Sequence, residues 1–259
     1  MAWWSKGRKL DLNNYIMIDN LKHHRWCVFG MPRTGSHLLE YQIHKHLNEV
    51  YGDSAKLGEL FHPFSIRDTE VYLEGDTIIS KDRDYGAGEF QSVNFWEEVY
   101  RKIGLLSQAD NFQPLSCRFF YGEQYIFLGL EKTISILQEH NFKFIRLDRD
   151  FEKRLISYYF AKTNDNWRYS KNETKLFVDI SRMRRYIFQT VHTELDYESQ
   201  LPQFEYMKMD YDDIPKDGAG KNVKVLPDDP YEHIENAVEV KQLFDEYYPK
   251  VRDTLRDLI

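Results

Sequence analysis

The sequence predicts an α/β fold, a three-layer α/β/α domain in which helices flank a central parallel β-sheet. Short apolar runs alternate with helical patterns of ten or more residues, and this alternation is typical of βαβ units. The 259 residues contain no internal repeat, low-complexity segment or evident linker. We therefore expect a single domain, residues 1–259, with its core at about 25–259 and an N-terminal extension at 1–24.

Two strand–loop–helix units are the clearest part of this pattern. The apolar run from Arg25 to Phe29 leads through a glycine-bearing loop into a helical pattern at about 37–50. Further along, a helix at about 123–140 leads into a strand at 142–147 and another helix at about 150–161. Ligands bind beyond the carboxyl ends of the strands in open α/β sheets, so the loops after these two strands are the first candidates for a site.

The rest of the chain is less regular. Residues 64–113 have few long periodic runs, and we interpret them as excursions above the sheet. After the second unit we expect a polar helix, two short extended pieces and a C-terminal helix, at about 175–195, 204–209, 223–226 and 234–258 respectively.

Charge and composition narrow the classes of function. The formal net charge of −7 argues against a general affinity for nucleic acid, although a local basic pocket for a small polyanion is compatible with it. No window approaches the roughly 20 apolar residues of a membrane span, so we expect a cytoplasmic protein with no membrane partner. The two cysteines, Cys27 and Cys117, do not have the spacing of metal ligands. The same holds for His37, His44 and His46, so no metal is expected.

The first loop is P-loop-like in its glycine spacing. In Gly30-Met31-Pro32-Arg33-Thr34-Gly35-Ser36, small residues allow backbone N–H groups to face an anion. A nucleoside triphosphatase needs Lys and then Ser or Thr after the second glycine, and those positions hold Ser36 and His37. The cation is Arg33 instead, which can grip a phosphate or sulfate. From this loop alone, an anion site and a plain strand-to-helix turn stay equally open.

The second loop adds another arginine and hydroxyl. Arg149 follows the strand that ends at Leu147, and Ser157 comes eight residues later, about two helical turns on. Here the sequence resembles the sulfotransferases that use 3'-phosphoadenosine-5'-phosphosulfate (PAPS). Pro32-Arg33-Thr34-Gly35-Ser36 is similar to their first signature, with Thr34 where Ser is usual, and Arg149 with Ser157 is similar to their second.

The resemblance implies how the donor nucleotide is held. The first signature implies contacts to the 5'-phosphosulfate, and the pair Arg149 and Ser157 implies contacts to the 3'-phosphate. The implied cofactor-binding set is Pro32, Arg33, Thr34, Gly35, Ser36, His37, Arg149 and Ser157. The two motifs stand about 115 residues apart, each after a predicted strand, which is harder to obtain by chance than either motif alone.

Lesser similarities and two departures accompany these motifs. Segments 116–120, 161–167 and 208–214 are similar to parts of family members, the first two to the bacterial trehalose-sulfotransferase-like branch. The glycine-rich C-terminal motif of cytosolic members is replaced by a weak match at 217–222. Leu38 stands where those members have an aromatic residue that stacks on adenine.

The resemblance also supplies candidates for the base that takes the acceptor's proton. Gly58-Glu59 is similar to the segment that carries the catalytic glutamate in bacterial and tyrosylprotein sulfotransferases, so Glu59 is the first choice. Partial burial beside Leu60 and Phe61 would raise the pKa of Glu59 toward neutrality. His62 is the rival, and an ordinary loop carboxylate and an ordinary histidine are the plain alternatives.

Arginines elsewhere are candidates for the sulfuryl group or the acceptor. Arg118, expected at the end of another apolar run, either contacts the sulfuryl group or the acceptor or forms a surface salt bridge, and His62 is a second candidate for such a contact. Arg33 is expected to take part in catalysis as well as in donor binding. Arg182, Arg184 and Arg185 lie on the predicted polar helix. They form a solvated face or, if that helix lines a cleft, favour an acidic or sugar acceptor.

Together these features predict a sulfotransferase that moves the sulfuryl group of PAPS to an acceptor hydroxyl by in-line displacement. Carbohydrates or other small molecules are the expected acceptors, and 3',5'-bisphosphoadenosine (PAP) is the nucleotide product. Two alternatives stay open. One is a P-loop kinase of small metabolites, which the missing Lys-Ser/Thr pair disfavours. The other is a catalytically inactive nucleotide-binding protein of the same fold.

Overall fold

A computed structural model describes residues 24–59, 69–82, 95–121, 128–163, 175–201, 204–214 and 229–258. The fold is α/β with a central five-stranded parallel sheet flanked by helices, as the sequence predicts. The chain divides into two compact units. The sheet unit takes in the described residues of 1–30, 36–148 and 206–223. The helical unit takes in those of 31–35, 149–205 and 224–259.

Five strands form the core of the sheet unit in the order β2-β5-β1-β6-β7, and every neighbouring pair is parallel. The strand β5 is buried at all six positions and β1 at five of six, which suits central strands covered on both faces. The strands are β1 (Arg25–Gly30), β2 (Ala55–Glu59), β5 (Leu115–Phe120), β6 (Lys143–Asp148) and β7 (Met207–Asp210).

Helices on both faces of this sheet give three layers. Helix α1 (Ser36–Tyr51) connects β1 to β2 and packs against β1, β2 and β5. Helix α3 (Leu130–Glu139) connects β5 to β6. This connection crosses the sheet in the direction opposite to the connection from β1 to β2. Since such crossovers are right-handed, the two helices lie on opposite faces.

The region 64–113, interpreted from the sequence as excursions, contains regular structure where it is described. Strands β3 (Thr69–Glu74) and β4 (Thr77–Asp82) pair as an antiparallel hairpin outside the main sheet, and helix α2 covers Phe95–Gln108. The two-residue turn begins with Gly75 at φ 66°, a conformation that favours glycine. Gly75-Asp76 between strand-like runs is a hairpin signal that the interpretation of this region as excursions did not use.

The described residues of the helical unit form three α-helices, namely α4 (Phe151–Thr163), α5 (Ile180–Gln200) and α6 (Ala237–Arg256). They share one apolar core, in which the rings of Phe151 and Tyr248 stack at 4.1 Å. Helix α5 starts five residues later than predicted, because the Asp179 carboxylate caps it and Leu176 bridges to Ile234.

The C-terminal helix begins at Ala237, after a 3₁₀ turn at Pro230–His233, rather than at 234. The extended piece at 223–226 lies outside the described residues. Among the helices that the structure describes, none is long and apolar enough to cross a bilayer.

Candidate functional site

The loop Met31–Gly35 of the helical unit has an unusual backbone. Arg33 has φ 71° and Gly35 has φ 92°, both in the left-handed region. For a residue with a side chain this conformation costs about 1–2 kcal/mol, so the surrounding contacts must impose it on Arg33. One such contact is the buried Thr34 hydroxyl, whose Oγ1 donates to the Met31 carbonyl at 3.0 Å. The loop is therefore held in one strained conformation.

Arg33, in the loop after β1, lies beside Arg149 and Ser157, which follow β6, and all three belong to the helical unit. Arg33 Nε donates to Ser157 Oγ at 3.1 Å, and Arg149 Nη1 donates to the Arg33 carbonyl at 3.2 Å. Ser157 lies in the second turn of α4, and Arg149 precedes that helix by two residues. Residues separated by 116 and 124 positions in the chain thus form one cluster, which we call the arginine cluster.

The arginine cluster is strongly electropositive. Burial, followed by the positive charge of Arg149, lowers the pKa of Arg33 to about 10. Arg33 nevertheless stays protonated near neutral pH, so two guanidinium groups and one hydroxyl occupy a small, partly desolvated volume. Like charges held this close repel each other, and a bound anion would relieve the repulsion while accepting their hydrogen bonds. The arrangement can bind a phosphate or a sulfate.

A second group of charged residues lies in the sheet unit. Glu59 ends β2, and Arg118 is its registered partner on β5. Arg118 Nε donates to Glu59 Oε1 at 3.2 Å, and Arg118 Nη1 forms an ion pair with Glu40 of α1. The Gly58 amide donates to the other Glu40 oxygen at 3.2 Å. We call Glu40, Glu59, Arg118 and His37 the carboxylate cluster.

A bulge in β2 creates the Glu59–Arg118 pair. Ala55 and Lys56 are in regular register with β5, and the register then shifts so that Glu59 faces Arg118. Gly58, inside the shifted segment, has φ 63°, the left-handed conformation of a glycine bulge. In uninterrupted register Glu59 would face the next residue, Phe119, and its side chain would lie on the other face of the sheet.

His37 joins the carboxylate cluster from the first turn of α1. Its Nε2 lies 3.5 Å from Glu59 Oε1, and 57% of the His37 side-chain surface is exposed, against 9% for Glu59. Desolvation of the ring and the positive charge of Arg118 lower the pKa of His37, and contact with Glu59 opposes this effect. His37 therefore carries a neutral ring near neutral pH.

Apart from His37, the carboxylate cluster is buried, and it contains two carboxylates and one guanidinium. Side chains of Glu40 and Arg118 are 1% and 5% exposed, and burial lowers the pKa of Arg118 to about 9. Such a guanidinium needs the carboxylates around it, because an unpaired buried charge is strongly destabilising. Arg118 thus lies in a buried ion pair rather than in the surface salt bridge that the sequence left open.

Glu40 is the member of this cluster that sequence reasoning missed. It lies on the face of α1 that also buries Ser36, Leu39 and Ile43. Glutamate is almost never fully buried unless it is paired, so a carboxylate on the apolar face of an amphipathic helix predicts a buried cation nearby. The helical spacing of the sequence contained this signal.

The predicted residues thus fall into two groups. Pro32, Arg33, Thr34, Gly35, Arg149 and Ser157 belong to the helical unit, and Ser36, His37, Glu59 and Arg118 to the sheet unit. Ser36 is buried as the first residue of α1. His62, Leu60 and Phe61 lie outside the described residues, so the expected apolar surroundings of Glu59 stay a prediction.

The arginines of α5 contact aromatic rings. The guanidinium carbon of Arg182 lies 5.5 Å from the ring centre of Tyr159 and 5.6 Å from that of Tyr186, and Arg184 lies 5.7 Å from that of Tyr247.

In the part of the chain that the structure describes, no three His, Cys, Asp or Glu side chains are grouped to hold a metal ion. The sequence matches no protein-family model and no curated protein.

Proposed function

We propose that this protein is a sulfotransferase that transfers the sulfuryl group of PAPS to the hydroxyl of a carbohydrate or another small molecule. The observation that carries the proposal is the arginine cluster, in which Arg33 contacts Ser157 and Arg149 contacts Arg33. The two motifs that resemble sulfotransferase signatures are distant in the chain and adjacent in the fold. The sequence resemblance alone did not require this proximity.

The chemistry of the arginine cluster fits the donor nucleotide. PAPS carries a phosphosulfate and a separate 3'-phosphate, and guanidinium groups are the side chains best suited to bind such oxyanions in pairs of hydrogen bonds. Arg33 would bind the phosphosulfate, and Arg149 with the Ser157 hydroxyl would bind the 3'-phosphate. The bound donor supplies the sulfuryl group and the phosphate leaving group.

The residues would act by positioning the donor and by neutralising charge. In an in-line displacement, negative charge grows on the oxygen that leaves sulfur, and the Arg33 guanidinium would stabilise that charge. The acceptor must lose its hydroxyl proton, and we assign this proton transfer to the carboxylate cluster around Glu59. Arg118 keeps Glu59 in place through its 3.2 Å hydrogen bond.

Calorimetry with PAP tests the nucleotide assignment without knowledge of the acceptor. The wild type is expected to bind PAP, and Arg149→Ala to bind it at least about 10-fold more weakly, because charged hydrogen bonds contribute about 1.5–3 kcal/mol. Arg185→Ala, which removes an exposed arginine of the same unit, is the matched control and should bind like the wild type.

ATP with magnesium is the comparison ligand in the same experiment. Weak or absent binding of ATP beside firm binding of PAP would support the sulfotransferase. No PAP binding by the wild type, or a preference for magnesium-ATP, would overturn the proposal and favour the kinase.

A further inference from the structure

Glu59 is poorly placed to meet an acceptor hydroxyl directly. Its side chain is 9% exposed, and its Oε1 lies 3.2 Å from Arg118 Nε and 3.5 Å from His37 Nε2. A carboxylate held against a buried guanidinium is stabilised in its ionised form. That stabilisation is lost when the carboxylate accepts a proton, so the carboxylate is a weak base. Glu59 is thus better suited to orient a neighbouring group than to act as the base itself.

His37 is the member of the carboxylate cluster that is open to solvent. Its side chain is 57% exposed, while its Nε2 is directed to the buried Glu59 carboxylate. A neutral imidazole that shares its Nε2 proton with a carboxylate has its lone pair on Nδ1. This is the relationship between histidine and carboxylate in enzymes whose histidine takes a proton from a hydroxyl.

The charges around His37 are compatible with this role. From β2, Glu59 and Lys56 face the ring, and from β5 Arg118 does. Arg118 is shared with Glu40 of the histidine's own helix, so its charge is compensated on two sides. Burial, Arg118 and Lys56 favour the neutral ring, whereas Glu59 stabilises the imidazolium once a proton arrives.

We propose that His37 is the catalytic base of the transfer, instead of the cofactor contact that the resemblance implies, and that Glu59 is the residue that positions it. This inference rests on the proposed function. The acceptor oxygen forms a bond to sulfur while the bond from sulfur to the phosphate oxygen of PAPS breaks, and the electron pair leaves with that phosphate. The acceptor's proton passes to Nδ1 of His37, and Glu59 balances the resulting charge. Glu40 holds Arg118 in place and takes no proton.

Histidine NMR tests the pair without any turnover. In the full-length protein labelled with ¹⁵N-histidine, the His37 signals are identified by their loss in His37→Asn. We expect the tautomer with hydrogen on Nε2, and a lower pKa of His37 in Glu59→Gln, because the partner that raises this pKa is removed. An unchanged tautomer and an unchanged pKa in Glu59→Gln would overturn the proposal.

Turnover is measured as release of PAP from PAPS, which counts transfer to any acceptor, water included. A panel of sugars and phenols serves as added acceptors. His37→Asn should lower the rate by about 10²- to 10⁴-fold, the usual contribution of a general base, and should leave PAP affinity within about 3-fold of wild type. Because the side chain is exposed, this variant is expected to fold. His46→Ala, on the same helix, is the matched control.

Two further readouts separate a base from a structural residue. Free imidazole should restore part of the activity of His37→Ala, and the rise of the wild-type rate with pH through the pKa of His37 should vanish in His37→Asn. Undiminished PAP release by His37→Asn overturns the base assignment alone. The base assignment is also overturned if His37→Asn loses as much PAP affinity as it loses rate, because His37 would then be a cofactor contact. No PAP binding and no PAP release by the wild type would mean that the proposed function itself is wrong.

Discussion

Glu59 and Arg118 face each other across two parallel strands because β2 contains one more residue than β5 between their registered positions. The extra residue is accommodated at Leu57-Gly58, where Gly58 has φ 63°. Gly58→Ala places a side chain in this left-handed conformation, at a cost of about 1–2 kcal/mol. If the strand relaxes to regular register, Glu59 also loses Arg118 and His37. We expect a lower urea midpoint of unfolding and a shifted histidine signal of His37.

Gly75→Ala is the matched control for this bulge. Gly75 has φ 66° in the β3–β4 turn, and a methyl group added there meets no atom within 4 Å. The substitution should cost a similar amount of stability and leave the His37 signal unchanged. If Gly58→Ala is as stable as the wild type, or if both variants shift the His37 signal equally, the bulge is not what positions Glu59.

The bulge also shows why β2 was absent from the sequence prediction. Ala55-Lys56-Leu57-Gly58-Glu59 has two charged residues, one glycine and no β-branched residue, so its intrinsic preference for a strand is low. Its burial comes from β5 beside it, which is a tertiary effect. By contrast, β1 and β6 are apolar runs flanked by helical patterns, and their local sequence was sufficient to predict them.

Arg25, at the start of β1, connects two loops, one that contains Asp110 and Gln113 and one that contains His140. Its guanidinium is buried and donates to the carbonyls of Asp110 at 2.7 Å, His140 at 3.0 Å and Gln113 at 3.4 Å. Arg25→Met keeps much of the apolar volume but leaves these carbonyls without their donor. We expect a loss of stability on the order of 3 kcal/mol in urea unfolding.

Arg101→Met is the control for Arg25. The exposed Arg101 donates to the backbone carbonyl of Val71 at 2.7 Å, where water can replace the donor. Its loss should cost about 1 kcal/mol or less. Equal effects of the two substitutions would show that the contacts of Arg25 are replaceable and that it does not hold the two loops together.

Acid should destabilise the protein in the range where histidine titrates. Desolvation by surrounding protein atoms is the largest cause that lowers the pKa of His37, His46 and His140 below the ordinary value of 6.5, although more than half of the His37 side-chain surface stays exposed. Between the folded and the unfolded pKa, the unfolded chain binds protons that the folded chain does not, so the free energy of unfolding rises with pH. This stability is present above pH 6.5 and is lost as the pH falls through the folded pKa values.

The share of His37 in this pH dependence can be measured separately. Urea unfolding of His37→Asn at several pH values should give a smaller slope of stability against pH than the wild type. His192→Asn, which removes an exposed histidine of α5, is the control substitution. A wild-type slope in His37→Asn would show that the folded protein does not disfavour protonation of this ring.

The arginine cluster was predicted in its members but not in its contacts. Glycine spacing and the order of strands indicated that Arg33 and Arg149 follow two strands of one sheet. The left-handed backbone of Arg33 and its hydrogen bond to Ser157 depend on the packing of the whole loop, which no local pattern encodes. Glu40 was not predicted at all, although its position on the apolar face of α1 indicates burial, and its partner Arg118 comes from a distant strand.

Ser157 offers the sharpest test of how the arginine cluster binds its ligand. Its hydroxyl accepts from Arg33 Nε at 3.1 Å and can donate to a bound phosphate at the same time. Ser157→Ala should weaken PAP binding by about 5- to 10-fold, the equivalent of about 1 kcal/mol, with little change in the urea midpoint. Thr193→Ala, which removes an exposed hydroxyl of the same unit, should leave binding unchanged.

The size of the Ser157 effect distinguishes two roles of the hydroxyl. If the Ser157 hydroxyl only orients Arg33, its removal should have no effect once Arg33 is replaced by lysine, because lysine has no Nε donor to orient. Arg33→Lys and the double variant Arg33→Lys with Ser157→Ala should then lose the same PAP affinity. If Ser157 also donates to the ligand, the two losses should add. Full PAP affinity in both single variants would contradict the nucleotide assignment, since Arg33 and Ser157 would then contact each other for structural reasons alone.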